Sequence, residues 1–80
     1  MKPDSFNTLD VRPYLARGEE PCGVIRARIG ALAAGQGLTV LAPFLPAPLI
    51  ELLKSEGFEA SIERRHDGAW AVGFWRKDHA

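Results

Sequence analysis

The strongest constraint on the fold lies near the end of the chain, where two segments of alternating apolar residues flank the pair Asp67-Gly68. Asp-Gly is a preferred sequence for tight β-hairpin turns, because both residues tolerate the backbone conformations that such turns need. The alternating apolar positions are Phe58, Ala60, Ile62, Trp70, Val72 and Phe74. An apolar residue at every second position is typical of a strand with one buried face. We therefore predict that the third and fourth strands of a sheet form an antiparallel hairpin here.

Two more strands are predicted upstream of the hairpin. Leu9 and Val11 alternate with polar residues, as in a half-buried strand, and Pro13 is expected to end it. Residues 38–42 are almost all apolar, which is typical of a central strand. We expect residues 1–7 to form a flexible tail, residues 8–77 a single domain and residues 78–80 a second tail.

Two helices are predicted between these strands, after a loop that reaches Gly18. Pro21 suits the first turn of a helix, where its missing N–H costs nothing. Cys22, Ile25, Ile29 and Leu32 then share one face, and the helix is expected to run to about residue 34. A second helix, predicted from its cluster of aliphatic residues, follows the proline-rich segment 43–48 and closes at residues 55–57.

The predicted order of elements is βαβαββ, which indicates a two-layer α/β sandwich. Eighty residues support one thin core, and a sheet covered by helices on one side is the natural arrangement. The right-handed crossover rule places both helices on the same face of the sheet. The other face is expected to stay open.

Composition excludes several classes of function. The net charge is zero, which argues against nucleic-acid binding through a basic surface. A single cysteine forms no internal disulfide, and the longest apolar stretch, residues 38–50, is too short and too rich in proline to span a bilayer. We expect a cytoplasmic protein without a cofactor. No metal site is expected, because Cys22, His66 and His79 lack the spacing of ligand pairs.

Several residues, taken in order, give the chain a family resemblance. They include the segment 9–12, Glu20-Pro21 before the first helix, the segment 46–49 before the second, and Trp70 in the last strand. In these features the chain resembles the TusA/SirA-like sulfur-carrier superfamily, and it is closest to a sister family of unknown function often found beside hemerythrin-like domains. The resemblance covers roughly residues 7–77. It implies a mixed four-stranded sheet in the order 1-2-4-3, like the C-terminal domain of the third bacterial initiation factor.

The resemblance also shows where this chain departs from the carriers. Sulfur carriers bear a Cys-Pro-x-Pro motif at the start of the first helix, and its last proline corresponds to Pro21. Gly18 and Glu19 then stand in place of the persulfide-bearing cysteine and its proline. The sister family tends to carry a His-Asp pair after the second strand, where this chain has Phe44 and Leu45. A polar role for that loop is therefore not expected.

Cys22 is the one residue that we consider as a candidate nucleophile. The first turn of a helix offers free N–H groups that favour a thiolate, and Arg17 is a candidate source of added positive charge. Against this, the stripe that Cys22 shares with Ile25 predicts burial, and Glu19 and Glu20 oppose a thiolate. We expect Cys22 to be buried, and keep a reactive role for it as the alternative.

The open face of the sheet suggests an interaction surface. If Trp70, Val72 and Phe74 face the helices, Ala71, Gly73 and Trp75 point outward, and Leu41 is exposed on the second strand. Trp75 on small neighbours is the composition of a contact surface.

We predict a non-catalytic accessory domain that binds a protein partner, or a second copy, through Trp75 and Leu41 or through the Phe44-Leu45 loop. The alternatives are a divergent persulfide carrier that uses Cys22 and, more weakly, a small RNA-binding module.

Overall fold

The computed structural model describes residues 2–77 as four strands and three helices. In chain order these are β1 (Ser5–Asp10), α1 (Arg12–Ala16), α2 (Cys22–Gly30), β2 (Gln36–Ala42), α3 (Ala47–Ser55), β3 (Phe58–Arg64) and β4 (Trp70–Arg76). The strands form one mixed sheet in the order β1-β2-β4-β3, with β1 and β2 parallel and the other pairs antiparallel. The predicted fold class and strand order are confirmed. The predicted C-terminal tail, residues 78–80, lies outside the described residues.

The core lies between the sheet and the helices, and β2 runs through its centre. Leu38 and Val40 of β2 are fully buried, as are Val72 and Phe74 on the neighbouring β4. The two longer helices complete the core with two buried aliphatic residues each, Ile25 and Ile29 from α2 and Ile50 and Leu53 from α3. Alternation along β2 and β4 therefore predicted the buried faces of these strands correctly.

The N-terminal part of the chain is more ordered than the sequence indicated. β1 begins at Ser5, inside the segment expected to be a tail, and pairs with β2 from Ser5 opposite Gln36. Pro13 does not simply end a strand; it stands in the first turn of α1, a helix the prediction missed. Proline is tolerated there because the first N–H groups of a helix have no intrahelical partner. Tyr14 and Leu15 of this helix pack against the core.

Helix α2 ends at Gly30, about one turn earlier than predicted. The chain turns instead of continuing, since the N–H of Ala33 donates to the side-chain oxygen of Gln36 at 3.0 Å. Gly35 then adopts a positive φ of 81°, which glycine reaches without steric cost. Among residues 2–77, no helix is long and apolar enough to cross a membrane.

The face of the sheet opposite the helices is covered by aromatic side chains from within the chain. Phe6 of β1 lies over Gly37 and Gly73, where an added Cβ would meet its ring. The Trp75 ring stands edge-on to Phe6 at 6.0 Å, and the amine of Lys2 lies over Trp75 at 5.9 Å. Trp75 does point to this face, but only 8% of it is exposed. The expectation of an exposed Trp75 was wrong because β1 places the Phe6 ring over Gly37 and Gly73, next to the Trp75 ring.

Ion pairs connect the end of β1 to the β3–β4 hairpin. The guanidinium of Arg12 donates to both carboxylate oxygens of Asp10, at 2.9 and 2.8 Å. It also lies 3.9 Å from Asp67, which accepts the N–H of Ala69 at 3.0 Å. The hydrogen bond from Arg12 lowers the pKa of Asp10, and the bond from the Ala69 backbone lowers the pKa of Asp67. Both carboxylates are therefore stabilised in the charged form in the folded state.

We predict that Gly37→Ala destabilises the fold by about 1–3 kcal/mol, the usual cost of overpacking. A Cβ at this position would collide with the Phe6 ring and lie 2.9 Å from the carbonyl oxygen of Phe74. The free energy of unfolding, measured in urea, checks this. Gly30→Ala is the matched control, because the space around Gly30 is open and alanine favours a helix. Equal stability of the two variants would contradict the close packing of the Phe6 ring on Gly37.

A second prediction concerns acid. Because the pKa values of Asp10 and Asp67 are lowered by folding, their contribution to stability is complete above the unfolded pKa, near 4. It is lost as the pH falls through the lower, folded pKa values. The urea midpoint should therefore drop more steeply below pH 4 in the wild type than in Arg12→Gln, which lacks the guanidinium that lowers the pKa of Asp10 and makes a smaller contribution at Asp67. Parallel curves for the two proteins would disprove the assignment.

Candidate functional site

An apolar groove lies at the edge of the sheet where the parallel strands β1 and β2 end. The N-termini of α2 and α3 lie at this same edge, where Cys22 and Pro48 line the groove. The groove has a volume of about 230 Å³. Its walls include Val11, Leu15, Ile25, Ala42, Phe44 and Leu49. In α/β sheets, ligands bind preferentially beyond the carboxyl ends of strands, so this groove is the candidate site.

Prolines hold the rim of the groove in place. Pro46 and Pro48 line it, and the N–H of Ala47 donates to the carbonyl of Leu45 at 2.9 Å in a tight turn. This turn leaves Phe44 53% exposed and Leu45 39% exposed. Phe44 lines the groove, whereas Leu45 lies beside it on the surface. The rim therefore presents large apolar side chains on a stiff backbone.

Cys22 lines the same groove and is exposed, so the prediction that it is buried was wrong. It is the first residue of α2, and only the later members of its stripe, Ile25 and Ile29, reach the buried layer. Helical spacing put these residues on one side of the helix correctly. Helical spacing did not show that the first residue of α2 lies beyond the part of the sheet that buries this side of the helix.

The surroundings of Cys22 favour the protonated thiol. The backbone N–H of Cys22 donates to Glu20 Oε1 at 2.9 Å, so the carboxylate occupies the helix N-terminus that would otherwise stabilise a thiolate. A hydrogen bond to the same carboxylate raises the pKa of Cys22, and partial burial raises it further. The predicted help from Arg17 does not occur, because Arg17 pairs with Glu19 at 3.0 Å. Arg26, which lowers the pKa of Cys22 slightly, pairs with Glu56 at 2.8 Å.

The predicted site residues fall on two separate surfaces. Phe44 and Cys22 come together at the groove, with Leu45 next to it. Leu41 and Trp75 belong to the opposite face of the sheet, where Leu41 is half-buried.

His66 is exposed in the hairpin, and His79 lies outside the described residues. Within residues 2–77, no group of three His, Cys, Asp or Glu side chains is close enough to hold a metal ion.

Of the twelve residues that line the groove, only Cys22 and Phe44 were predicted as site residues. Leu15 and Glu20 are two that were missed. Leu15 belongs to the unpredicted α1, and its apolar side chain gave no periodic signal in so short a helix. Glu20 was expected to oppose a thiolate, but it was not predicted to hydrogen-bond the start of the helix. Its position two residues before Cys22, at a helix start, is the signal for a carboxylate that caps the backbone.

Comparisons with known proteins identify a family but no activity. Residues 8–76 match the family model described as an uncharacterized conserved protein, DUF2249. No curated protein matches the chain, and no solved structure does. The match spans nearly all of the sheet and helices described above, including every residue named at the groove. The chain therefore belongs to the uncharacterized conserved protein family DUF2249.

Proposed function

We propose that this chain is a small, non-catalytic interaction domain whose groove receives an apolar side chain from a partner protein. One observation carries the proposal: a groove of about 230 Å³ with apolar walls is bordered by Phe44, which is 53% exposed. Large side chains clustered in this way on a short chain are characteristic of contact surfaces.

The energetics favour a contact that buries Phe44. Covering apolar surface contributes about 25 cal/mol per Å², and an aromatic side chain presents a large area. The prolines around Phe44 restrict the loop before binding, so less conformational entropy is lost when a partner docks. A preformed groove with a stiff aromatic rim thus suits recognition of a protein segment.

The groups at the groove that carry protons support the non-catalytic part of the proposal. Cys22 and Glu20 are hydrogen-bonded to each other, and this contact raises the pKa of the thiol while Glu20 stays charged. A thiol held in this way is a poor nucleophile at neutral pH, because the thiolate is the reactive species. The pair is better suited to capping α2 than to chemistry.

We also propose that the chain is a divergent relative of the TusA/SirA-like sulfur carriers and acts in the cytoplasm. The sheet order 1-2-4-3 and the position of Pro21 directly before α2 support the relationship. A single, unpaired cysteine suits a reducing compartment. A family branch that lost the carrier cysteine but kept the groove would retain binding without sulfur transfer.

We predict that Phe44→Ser weakens binding of the partner by about tenfold or more, because it removes an aromatic anchor at the rim. The partner is first captured in cells with a photo-crosslinking phenylalanine analogue at position 44 and then purified. The Kd of wild type and variant for this protein is the measurement. The melting temperature should change little, since Phe44 is largely exposed.

Glu51→Ser is the matched control, because Glu51 is exposed on α3, next to the buried Ile50 but on the solvent side of the helix. It should leave the Kd unchanged, and a crosslinker placed there should give no adduct. If Phe44→Ser binds as tightly as the wild type, the groove is not the contact and the proposal fails.

A second candidate function is a persulfide carrier that uses Cys22, favoured by the exposure of this thiol at the groove. In that case the Cys22 thiolate would attack the outer sulfur of a cysteine desulfurase's persulfide. A new S–S bond would form on Cys22, and the enzyme's cysteine would leave as a thiolate. The contact with Glu20 opposes this step, so the carrier function requires Glu20 to move away.

The role of Glu20 gives a prediction about reactivity. At pH 7.5, wild-type Cys22 should react several-fold more slowly with iodoacetamide than Cys22 in Glu20→Gln, because a raised pKa leaves less thiolate. The rate in the wild type should rise as the pH increases through the thiol pKa, and in the variant this rise should come at a lower pH. The urea-unfolded chain is the reference for an unperturbed thiol.

Identical pH profiles for the two proteins would show that Glu20 does not control the thiol. A stable persulfide on wild-type Cys22 after incubation with a cysteine desulfurase and cysteine would favour the carrier over the binding domain.

A further inference from the structure

The outer edge of β3 has an unusual combination of free backbone groups, acidic side chains and an exposed aliphatic residue. β3 is at the end of the sheet and pairs on one side only, with β4. The hydrogen bonds from Lys77 N–H to Gly57 and from Arg65 N–H to Ala69 continue the β3–β4 register at both ends. These two bonds identify the residues of β3 whose N–H and C=O groups point toward β4.

Hydrogen-bonded pairs alternate along an antiparallel ladder. Since Gly57 and Arg65 are hydrogen-bonded positions, the odd-numbered residues of β3 bond to β4. The N–H and C=O groups of the even-numbered residues therefore point outward, away from the sheet. These residues are Phe58, Ala60, Ile62 and Arg64.

The side chains of β3 differ sharply between its two faces. On the face that also carries Trp75, β3 presents Glu59, Ser61 and Glu63 in alternation. Among residues 2–77, no amine or guanidinium lies within 4 Å of either glutamate. On the helix-bearing face, Ile62 is 52% exposed. A strand added here would meet two carboxylates on one side and an apolar surface on the other.

We propose that the outer edge of β3 binds an extended segment of a partner protein, in which basic residues alternate with apolar residues. Main-chain hydrogen bonds to the even-numbered residues would supply affinity, as in other cases of strand addition to a sheet edge. Basic side chains would lie opposite Glu59 and Glu63, and apolar side chains would cover Ile62. Opposite charges at facing positions stabilise a strand pair.

A second copy of the chain fits this edge poorly in the register that overlaps the whole of β3. An antiparallel β3–β3 pair centred on Ser61 would use the free backbone groups but would set Glu59 opposite Glu63 of the other copy, twice. Like charges directly opposite one another destabilise a strand pair. The other edge of the sheet, β1, exposes no comparable aliphatic residue, because its Leu9 is buried. Charge and exposed apolar surface thus both favour a different protein at β3.

The test uses a synthetic six-residue peptide of alternating lysine and valine as the probe, with the same peptide carrying glutamate for lysine as its control. Amide hydrogen exchange of the whole chain, followed by NMR, is the measurement. At saturation the lysine peptide should slow exchange at Ala60 and Ile62 by about tenfold or more, with little change along β1. The glutamate peptide should have no effect, and added salt should weaken the protection.

Three variants make the test specific. Ala60→Pro removes one outward N–H without removing a hydrogen bond to β4, and should reduce binding. The double variant Glu59→Lys with Glu63→Lys, which changes only surface charge, should transfer the preference to the glutamate peptide. Glu51→Lys makes one such substitution on α3, away from the β3 edge, and should leave the preference for lysine intact.

Several results would overturn the proposal. They are equal protection by the two peptides, protection along β1 instead of β3, or no protection of the even-numbered amides. Concentration-dependent protection of these amides without any peptide, together with dimers in sedimentation, would show that the occupant is a second copy. None of these results depends on Phe44, so the groove proposal stands or falls separately.

Discussion

The structure depends on the burial of β2 between β1 and β4. Leu38 and Val40 are almost inaccessible to solvent, and β1 reaches the sheet only by pairing with β2. Such a strand satisfies its backbone on both sides and buries the side chains of one face beneath the helices. The end of the same strand forms part of the groove through Ala42. Core and candidate site are thus built from one continuous element, and a change that displaced β2 would alter both.

Much of the fold was predictable because it depends on local periodicity. Alternation fixed the phases of β2 and β4, and Asp67-Gly68 located the hairpin. The predictions that failed concern either contacts between distant parts of the chain or an element too short to show a pattern. The aromatic cover requires Phe6 to meet Gly73, and α1 is too short for its pattern to be visible. Strand phase correctly gave the direction of Trp75, but exposure depends on what lies above the residue.

The candidate site was predictable only in part, for a related reason. Helical spacing put Cys22 and Ile25 on one side of α2, but spacing carries no information on where the sheet beneath the helix ends. Phe44, which was predicted to belong to an interaction surface, is exposed in the proline-rich loop after β2. The hydrogen bond between Glu20 and the backbone of Cys22 was easier to predict, since a carboxylate just before a helix is a common cap. The groove itself needed the three-dimensional arrangement.

β4 has a further property that follows from its position. It begins with Trp70 and approaches its end with Trp75, and these two side chains lie on opposite faces of the sheet. Trp70 is partly exposed beneath the guanidinium of Arg64, whereas Trp75 is enclosed beside Phe6 and its indole N–H has no partner among the described residues. The chain has only these two tryptophans. One strand therefore carries two natural fluorophores in different surroundings, and in a variant that keeps only one of them the emission reports on one side of the molecule without any added label.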